Sequence, residues 1–158
     1  MIRMNILVLG IGQSLRGDDA AGLEAVRRWQ TLHPATAARV RVEVTELPGL
    51  GLLDLLKGMD AAVLVDAVRS EQPAGTLLVL GQDDLAAFTP GSGSAHGWGA
   101  AETLALGRRL NPSLADLRLT LIGIAGTDFS MGAELRPEVR AALDKAAEAI
   151  ERKVNTLL

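Results

Sequence analysis

Short apolar runs alternate along this chain with longer stretches in which apolar residues recur every three or four positions. The runs Asn5–Leu9 (NILVL), Val40–Leu47 (VRVEVTEL), Ala61–Val65 (AAVLV), Thr76–Leu80 (TLLVL) and Leu117–Ile124 (LRLTLIGI) read as strands. The first, third and fourth are almost wholly apolar, which predicts burial on both faces, as in a parallel or mixed sheet. Val40–Leu47 alternates polar with apolar and suits a half-exposed or edge strand. Helices fit between the strands at Asp19–Gln30, Leu50–Lys57, Trp98–Leu110 and Pro137–Val154. In the last of these, Val139, Leu143, Ala146, Ile150 and Val154 fall at helical spacing. Pro137 sits in its first turn, where a missing N–H is tolerated. Alternation of this kind predicts an α/β fold: a three-layer sandwich with a mainly parallel twisted sheet of about five strands and helices on both faces. No internal repeat or linker interrupts the pattern, so one domain over residues 1–158 is expected. Thr89–Gly99 (TPGSGSAHGWG) is the one glycine- and serine-rich stretch, and it reads as a loop.

Composition narrows the chemistry. Hydrophobic residues make up 48% and charged residues 22%, a globular balance. Aromatics are only 3%, so the core is built from Leu, Val, Ile and Ala, and a base-stacking platform is disfavoured. The net charge of −3 also argues against a phosphate-backbone partner. With no cysteine, structural disulfides, thiolate-held zinc and a thiol nucleophile are all excluded. Any metal must be held by His and carboxylates. Apolar stretches are strand-sized, and MIRMNILVLG leads into a strand with no cleavable signal pattern before it. A cytoplasmic protein with neither a nucleic-acid nor a membrane partner is expected.

The first strand–helix turn runs Gly10-Ile11-Gly12-Gln13-Ser14-Leu15-Arg16-Gly17-Asp18-Asp19. It is not a dinucleotide fingerprint, because Leu15 stands where the third glycine belongs. Its two terminal acids would also repel a pyrophosphate at that helix N-terminus. An Asp just before a helix caps orphan N–H groups, worth about 1 kcal/mol. Two adjacent acids cannot share the cap, so Asp18 reads as the cap and Asp19 as a functional acid. Asp66 ends the third strand in Val63-Leu64-Val65-Asp66-Ala67. Taken alone it reads equally as a turn former or as a functional acid, since ligands collect outside the carboxyl ends of strands in open α/β sheets. His96 lies in Ser94-Ala95-His96-Gly97-Trp98-Gly99, before a helix; the other histidine, His33, reads as a solvated helix-end cation. Two carboxylates at strand ends and a loop histidine make a plausible O,O,N set for a divalent metal. No Gly-x-Ser-x-Gly elbow accompanies Ser92 or Ser94, so a serine nucleophile is not indicated.

These residues carry a resemblance to the nickel–iron hydrogenase maturation endopeptidases. The opening block of that family is a strand followed by Gly-x-Gly-Asn-x-Leu-x-x-Asp-(Asp/Glu)-Gly-x-Gly. It is matched here by Gly10 to Gly22, with Gln13 in place of Asn and Ala20 in place of a common Gly. The second block is an apolar strand ending Val65-Asp66-Ala67, followed by Pro73-Ala74-Gly75-Thr76. The third is Ser94-Ala95-His96 before a helix, and a late Leu135-Arg136-Pro137-Glu138-Val139 opens the last helix. The resemblance implies an endopeptidase that removes the C-terminal peptide of a hydrogenase large-subunit precursor after nickel insertion. It implies Asp19, Asp66 and His96 as the catalytic and metal-contacting residues. The metal is then nickel, supplied by the nickel-loaded precursor, and other divalent cations are expected to occupy the site in vitro. Two rival readings stand beside it. A non-catalytic metal-checking partner would use the same ligands. A receiver-type phospho-acceptor domain also places acids after its first and third strands, but no Lys follows Leu117–Ile124 here.

Overall fold

A computed structural model describes residues 3–46, 51–87 and 99–158. Five strands form one sheet: β1 (Ile6–Ile11), β2 (Arg41–Thr45), β3 (Ala61–Arg69), β4 (Leu77–Leu80) and β5 (Arg118–Gly126), in the order β2-β1-β3-β5-β4. The pairs β1–β2, β1–β3 and β3–β5 are parallel, and β4 runs antiparallel to β5. The helices are α1 (Ala21–Leu32), α2 (Pro34–Ala37), α3 (Gly51–Leu55), α4 (Gln82–Ala87), α5 (Gly99–Leu110) and α6 (Pro137–Leu157). Two 3-10 turns, Gly17–Ala20 and Pro112–Asp116, precede α1 and β5.

The layering follows from the period of two along each strand. Leu7, Leu9 and Ile11 of β1 pack with Leu52 of α3, Leu104 of α5 and Leu114 on one side of the sheet. Val8 packs on the other side, with Val26 and Trp29 of α1 and Val139, Ile150 and Val154 of α6. The same alternation holds in β3, where Ala62, Leu64 and Val68 face the first cluster and Val63, Val65 and Ala67 the second. Both faces of the central strands are therefore dry. That is why they read as unbroken apolar runs.

Two expectations about strands are corrected. Leu77–Leu80 is a four-residue edge strand rather than a doubly buried one, and its Val79 is 57% exposed. Residues 70–76, between β3 and β4, are too few for a helical crossover, so the chain turns back and β4 lies antiparallel at the margin. The third strand does not stop before Asp66 but continues to Arg69, in register with β5 as far as Gly126. Among the expected helices, the starts at Leu50 and Trp98 fall outside the described residues, and the last helix runs to Leu157.

His33, read from the sequence as solvated, is instead held by two carboxylates. Its ring nitrogens lie 2.8 Å from Glu148 Oε1 and 3.1 Å from Glu151 Oε2, both on α6. Glu151 also accepts from Trp29 Nε1 at 3.1 Å and Thr36 Oγ1 at 2.9 Å. One carboxylate thus gathers the polar ends of α1 and α2 against α6, while the Trp29 ring is fully buried below it. No helix among the described residues is long and apolar enough to cross a membrane. Trp29→Ala should lower folding stability by about 3–5 kcal/mol, because a large ring is removed from a packed interface. Chemical denaturation followed by far-ultraviolet circular dichroism measures this, and a loss below 1 kcal/mol would show that α1 and α6 do not depend on the ring.

Candidate active site

The strand order places a crevice at the carboxyl ends of β1 and β3. From β1 the chain goes to β2 on one side and then to β3 on the other, and such a switch point is where open α/β sheets bind ligands. Gly22, in the first turn of α1, lets that helix rest directly on the strands. A β-carbon there would collide with the carbonyl oxygens of Val65 and Ile11 and lie 2.9 Å from Asp66 Cα. The opening of α1 and the position of Asp66 are therefore fixed against each other.

The turn between β1 and α1 is pinned at both sides. Ser14 donates through its N–H and Oγ to Glu46 Oε1 at 2.8 and 2.7 Å, which holds the Glu46 carboxyl below its usual pKa. On the other side, Gly132 N–H donates to Leu15 O at 2.7 Å and Gly17 N–H to Ala133 O at 3.1 Å. Gly17 has φ 55°, and a β-carbon on it would run into Asp128 O, so only glycine fits that close approach.

Asp18 does not cap α1. Its carboxylate is fully buried and accepts from three main-chain donors: Thr127 N–H at 2.9 Å, Asp128 N–H at 3.0 Å and Arg136 N–H at 2.8 Å. Its own N–H donates to Asp128 O at 2.8 Å. It joins the β1–α1 turn to the segment between β5 and α6, more than a hundred residues away in sequence.

With Asp18 so engaged, Asp19 and Asp66 form the acid pair of the crevice. Asp19 is partly buried, and its Oδ2 accepts from Gln13 N–H at 3.1 Å. Burial raises its pKa, opposed by that hydrogen bond and by the charges of Arg16 and Arg69. Gln13 thus braces the turn through its main chain. Asp66 is 9% exposed, and its pKa is pushed up to about 8 by burial first and the negative charge of Asp19 second, with the Ala67 N–H offsetting only part. Neither acid has an ion-pair partner within 4 Å among the described residues. The pair therefore holds more negative charge than its surroundings neutralise, a setting that favours a proton or a cation.

His96 lies outside the described residues, and among those that are described no three His, Asp or Glu side chains form a metal-binding group. Asp66 shares the parity of Leu64 and Val68, which belong to the cluster under α3 and α5. Sequence reading passed over two further residues at this end of the sheet. Arg69 closes β3 with its guanidinium 4.3 Å from the centroid of the Phe129 ring.

A sequence model of the hydrogenase maturation proteases matches residues 42–153. The chain belongs to that family, and it is a peptidase. It is 35% identical over 150 residues to the hydrogenase expression/formation protein HupD of Rhodobacter capsulatus, a match covering 92% of this chain and 69% of that protein. Its fold resembles the hydrogenase maturating endopeptidase HybD of Escherichia coli, with TM-score 0.76, 25% identity and coverage of 97% and 93% of the two chains. It also resembles the [NiFe] hydrogenase maturation protease HybD of Thermococcus kodakarensis, with TM-score 0.71, 26% identity and coverage of 96% and 99%. Membership in a protease family removes the receiver-domain reading.

Two measurements test this geometry. Asp18→Ala removes a fully buried acceptor and leaves three main-chain N–H donors without it, which should cost about 3 kcal/mol, well above the figure for a lost helix cap; denaturant titration that returns only about 1 kcal/mol would contradict the three-way link. The second concerns pH. Folded Asp66 keeps its proton up to about pH 8, whereas the unfolded chain releases it near 3.8. Across that window unfolding releases a proton, so the contribution of Asp66 to stability is complete below the lower value and is lost as pH rises through the upper one. In metal-free protein, Asp66→Asn should match wild type at pH 4 and exceed it increasingly in thermal midpoint toward pH 8. Parallel midpoint curves for the two proteins would rule out the raised pKa.

Proposed function

We propose that this protease removes the C-terminal peptide of a nickel–iron hydrogenase large-subunit precursor after nickel insertion, and that Asp19, Asp66 and His96 contact the nickel the precursor brings. The observation that carries this reading is the acid pair. Asp66 is buried and unneutralised beside Asp19 at the switch point, and the resemblance in three sequence blocks assigns the same two acids. Carboxylate oxygens suit a borderline divalent ion, and an imidazole completes an O,O,N set that complements sulfur ligands from the precursor.

In this reading the chain's own groups do the selecting. At neutral pH Asp66 holds a proton because burial and Asp19 make a second negative charge unfavourable. A dication arriving with the substrate reverses that balance, and the proton leaves as the carboxylate binds. A precursor without metal offers no such exchange and meets a crevice whose acids are already settled. The substrate's nickel, once bound, supplies Lewis-acid activation of the reacting oxygen. Asp19, fixed by the Gln13 N–H, and Asp66, fixed by its strand, orient that chemistry without needing to move.

Incubating nickel-loaded and nickel-free precursor with each variant and measuring the size of the large subunit tests the proposal. Asp19→Ala, Asp66→Ala and His96→Ala should each abolish processing, and Asp19→Glu should retain it. Wild-type protein should leave nickel-free precursor uncut. Full processing by His96→Ala, or efficient cutting without nickel, overturns the metal-recognition mechanism.

A further inference from the structure

We propose that Arg69 is a specificity-determining residue that reads a carboxylate of the precursor close to the bond being cut. The inference rests on the processing function proposed above and names a contact of that same site.

The placement is specific. Arg69 is the exposed last residue of the strand that carries Asp66, three residues further on. Three residues of strand span about 10 Å, close to the reach of three residues of extended substrate. The guanidinium lies over the Phe129 ring at 4.3 Å, and its charge is felt by Asp19. Opposite Arg69 in register stands Gly126, and a β-carbon there would come within 2.7 Å of Asp18 Cβ and 3.2 Å of Phe129 Cζ, so the missing side chain leaves room for both. The ring is thus a platform built at the end of the sheet, and Arg69 is held on it.

Resting a guanidinium over a ring face localises its charge while leaving its N–H fork open, since a ring face accepts no in-plane hydrogen bond. Among the described residues Arg69 forms no ion pair. The acid that feels its charge is Asp19, which accepts its hydrogen bond from the Gln13 N–H instead. If Arg69 served only to neutralise Asp19, a direct pair would be the economical arrangement, and it would cancel the negative charge that the crevice keeps. A free fork localised beside a peptidase site matches a planar anion. The anionic groups of an unmodified polypeptide substrate are carboxylates, which guanidinium binds with two parallel hydrogen bonds. The group read is therefore an Asp or Glu side chain within about five residues of the cut.

The test uses nickel-loaded precursor with wild-type, Arg69→Gln, Arg69→Lys and Phe129→Leu proteins, and precursors in which each Asp or Glu within about five residues of the cut is changed to its amide. Arg69→Gln should raise KM about tenfold or more with kcat within about twofold, matching loss of a charge-assisted hydrogen-bonded contact. Arg69→Lys and Phe129→Leu should fall between, because one keeps charge without the fork and the other keeps the fork without its platform. One amide precursor should show the same rise with wild-type protein and no further rise with Arg69→Gln. Thermal midpoints of the Arg69 variants should stay at the wild-type value, as the side chain is exposed. An unchanged KM in Arg69→Gln, or a shifted pH–kcat profile in place of a KM effect, overturns the inference while leaving the processing function intact. Failure of the wild-type protein to cut nickel-loaded precursor overturns both.

Discussion

A buried carboxylate with three main-chain donors holds this molecule's working end together. Among the described residues Asp18 has no ion-pair partner; Thr127, Asp128 and Arg136 supply N–H groups from a segment far away in sequence. The last of these is the N-cap residue of α6, so the carboxylate also sits at the positive end of the longest helix. A polar group removed from water is tolerated only when its hydrogen-bonding capacity is met in this way. The β1–α1 turn is consequently fixed by distant parts of the fold rather than by its own helix. The same constraint turns the next residue into something different. Asp18 is turned into the protein, and its neighbour Asp19 is left at the crevice with a single main-chain donor.

The two acids of the crevice present the opposite arrangement. Elsewhere on the surface, carboxylates find cations: Asp144 meets Arg28 at 2.7 Å, Glu43 meets Arg41 at 2.9 Å and Asp54 meets Lys57 at 3.1 Å. Such exposed pairs add little to stability, but they show that the chain has cations to spend. At the switch point none is placed within bonding distance of Asp19 or Asp66 among the described residues. Burial first, and the charge of Asp19 second, give Asp66 the largest departure from an ordinary carboxylate among the chain's described acids, and its position coincides with the crevice that topology creates.

Much of the fold was legible because the central strands obey a simple rule: buried on both faces, they carry no polar residue to break the run. β1 and the first half of β3 are of this kind. The same rule misled at Leu77–Leu80, since four apolar residues look alike in the centre and at a partly covered edge. Asp66 was misread as a strand end, because a charge inside a doubly buried strand is unexpected until a crevice opens beside it. Asp18 shows the other limit. Local sequence suggests a helix cap, and only the folded chain reveals partners more than a hundred residues away. Arg69 and Phe129 left no signal for a related reason: their meeting depends on the register that sets Arg69 opposite Gly126. The third proposed ligand, His96, lies outside the described residues.

The contrast between Asp18 and the Asp19–Asp66 pair bears on how a protease of this family would recognise a metal it does not own, under the proposed reading. A site that neutralised its carboxylates internally, with an arginine or lysine, would have to break that pair for each substrate and would bind a metal more weakly by the same amount. A site that left both acids loose would collapse onto water or onto stray ions. Here the turn is clamped by Asp18, α1 is seated through Gly22, and β3 carries Asp66 on a strand paired through to its last residue. The rigidity is purchased away from the acids, and the acids themselves stay uncompensated. A proton is then the ground-state occupant of Asp66, and it is one that a dication displaces without any rearrangement of the backbone. Exchange of a proton for a substrate's metal requires only that the two carboxylates be held close and left without a counter-ion, and both conditions are set by residues that never touch the substrate.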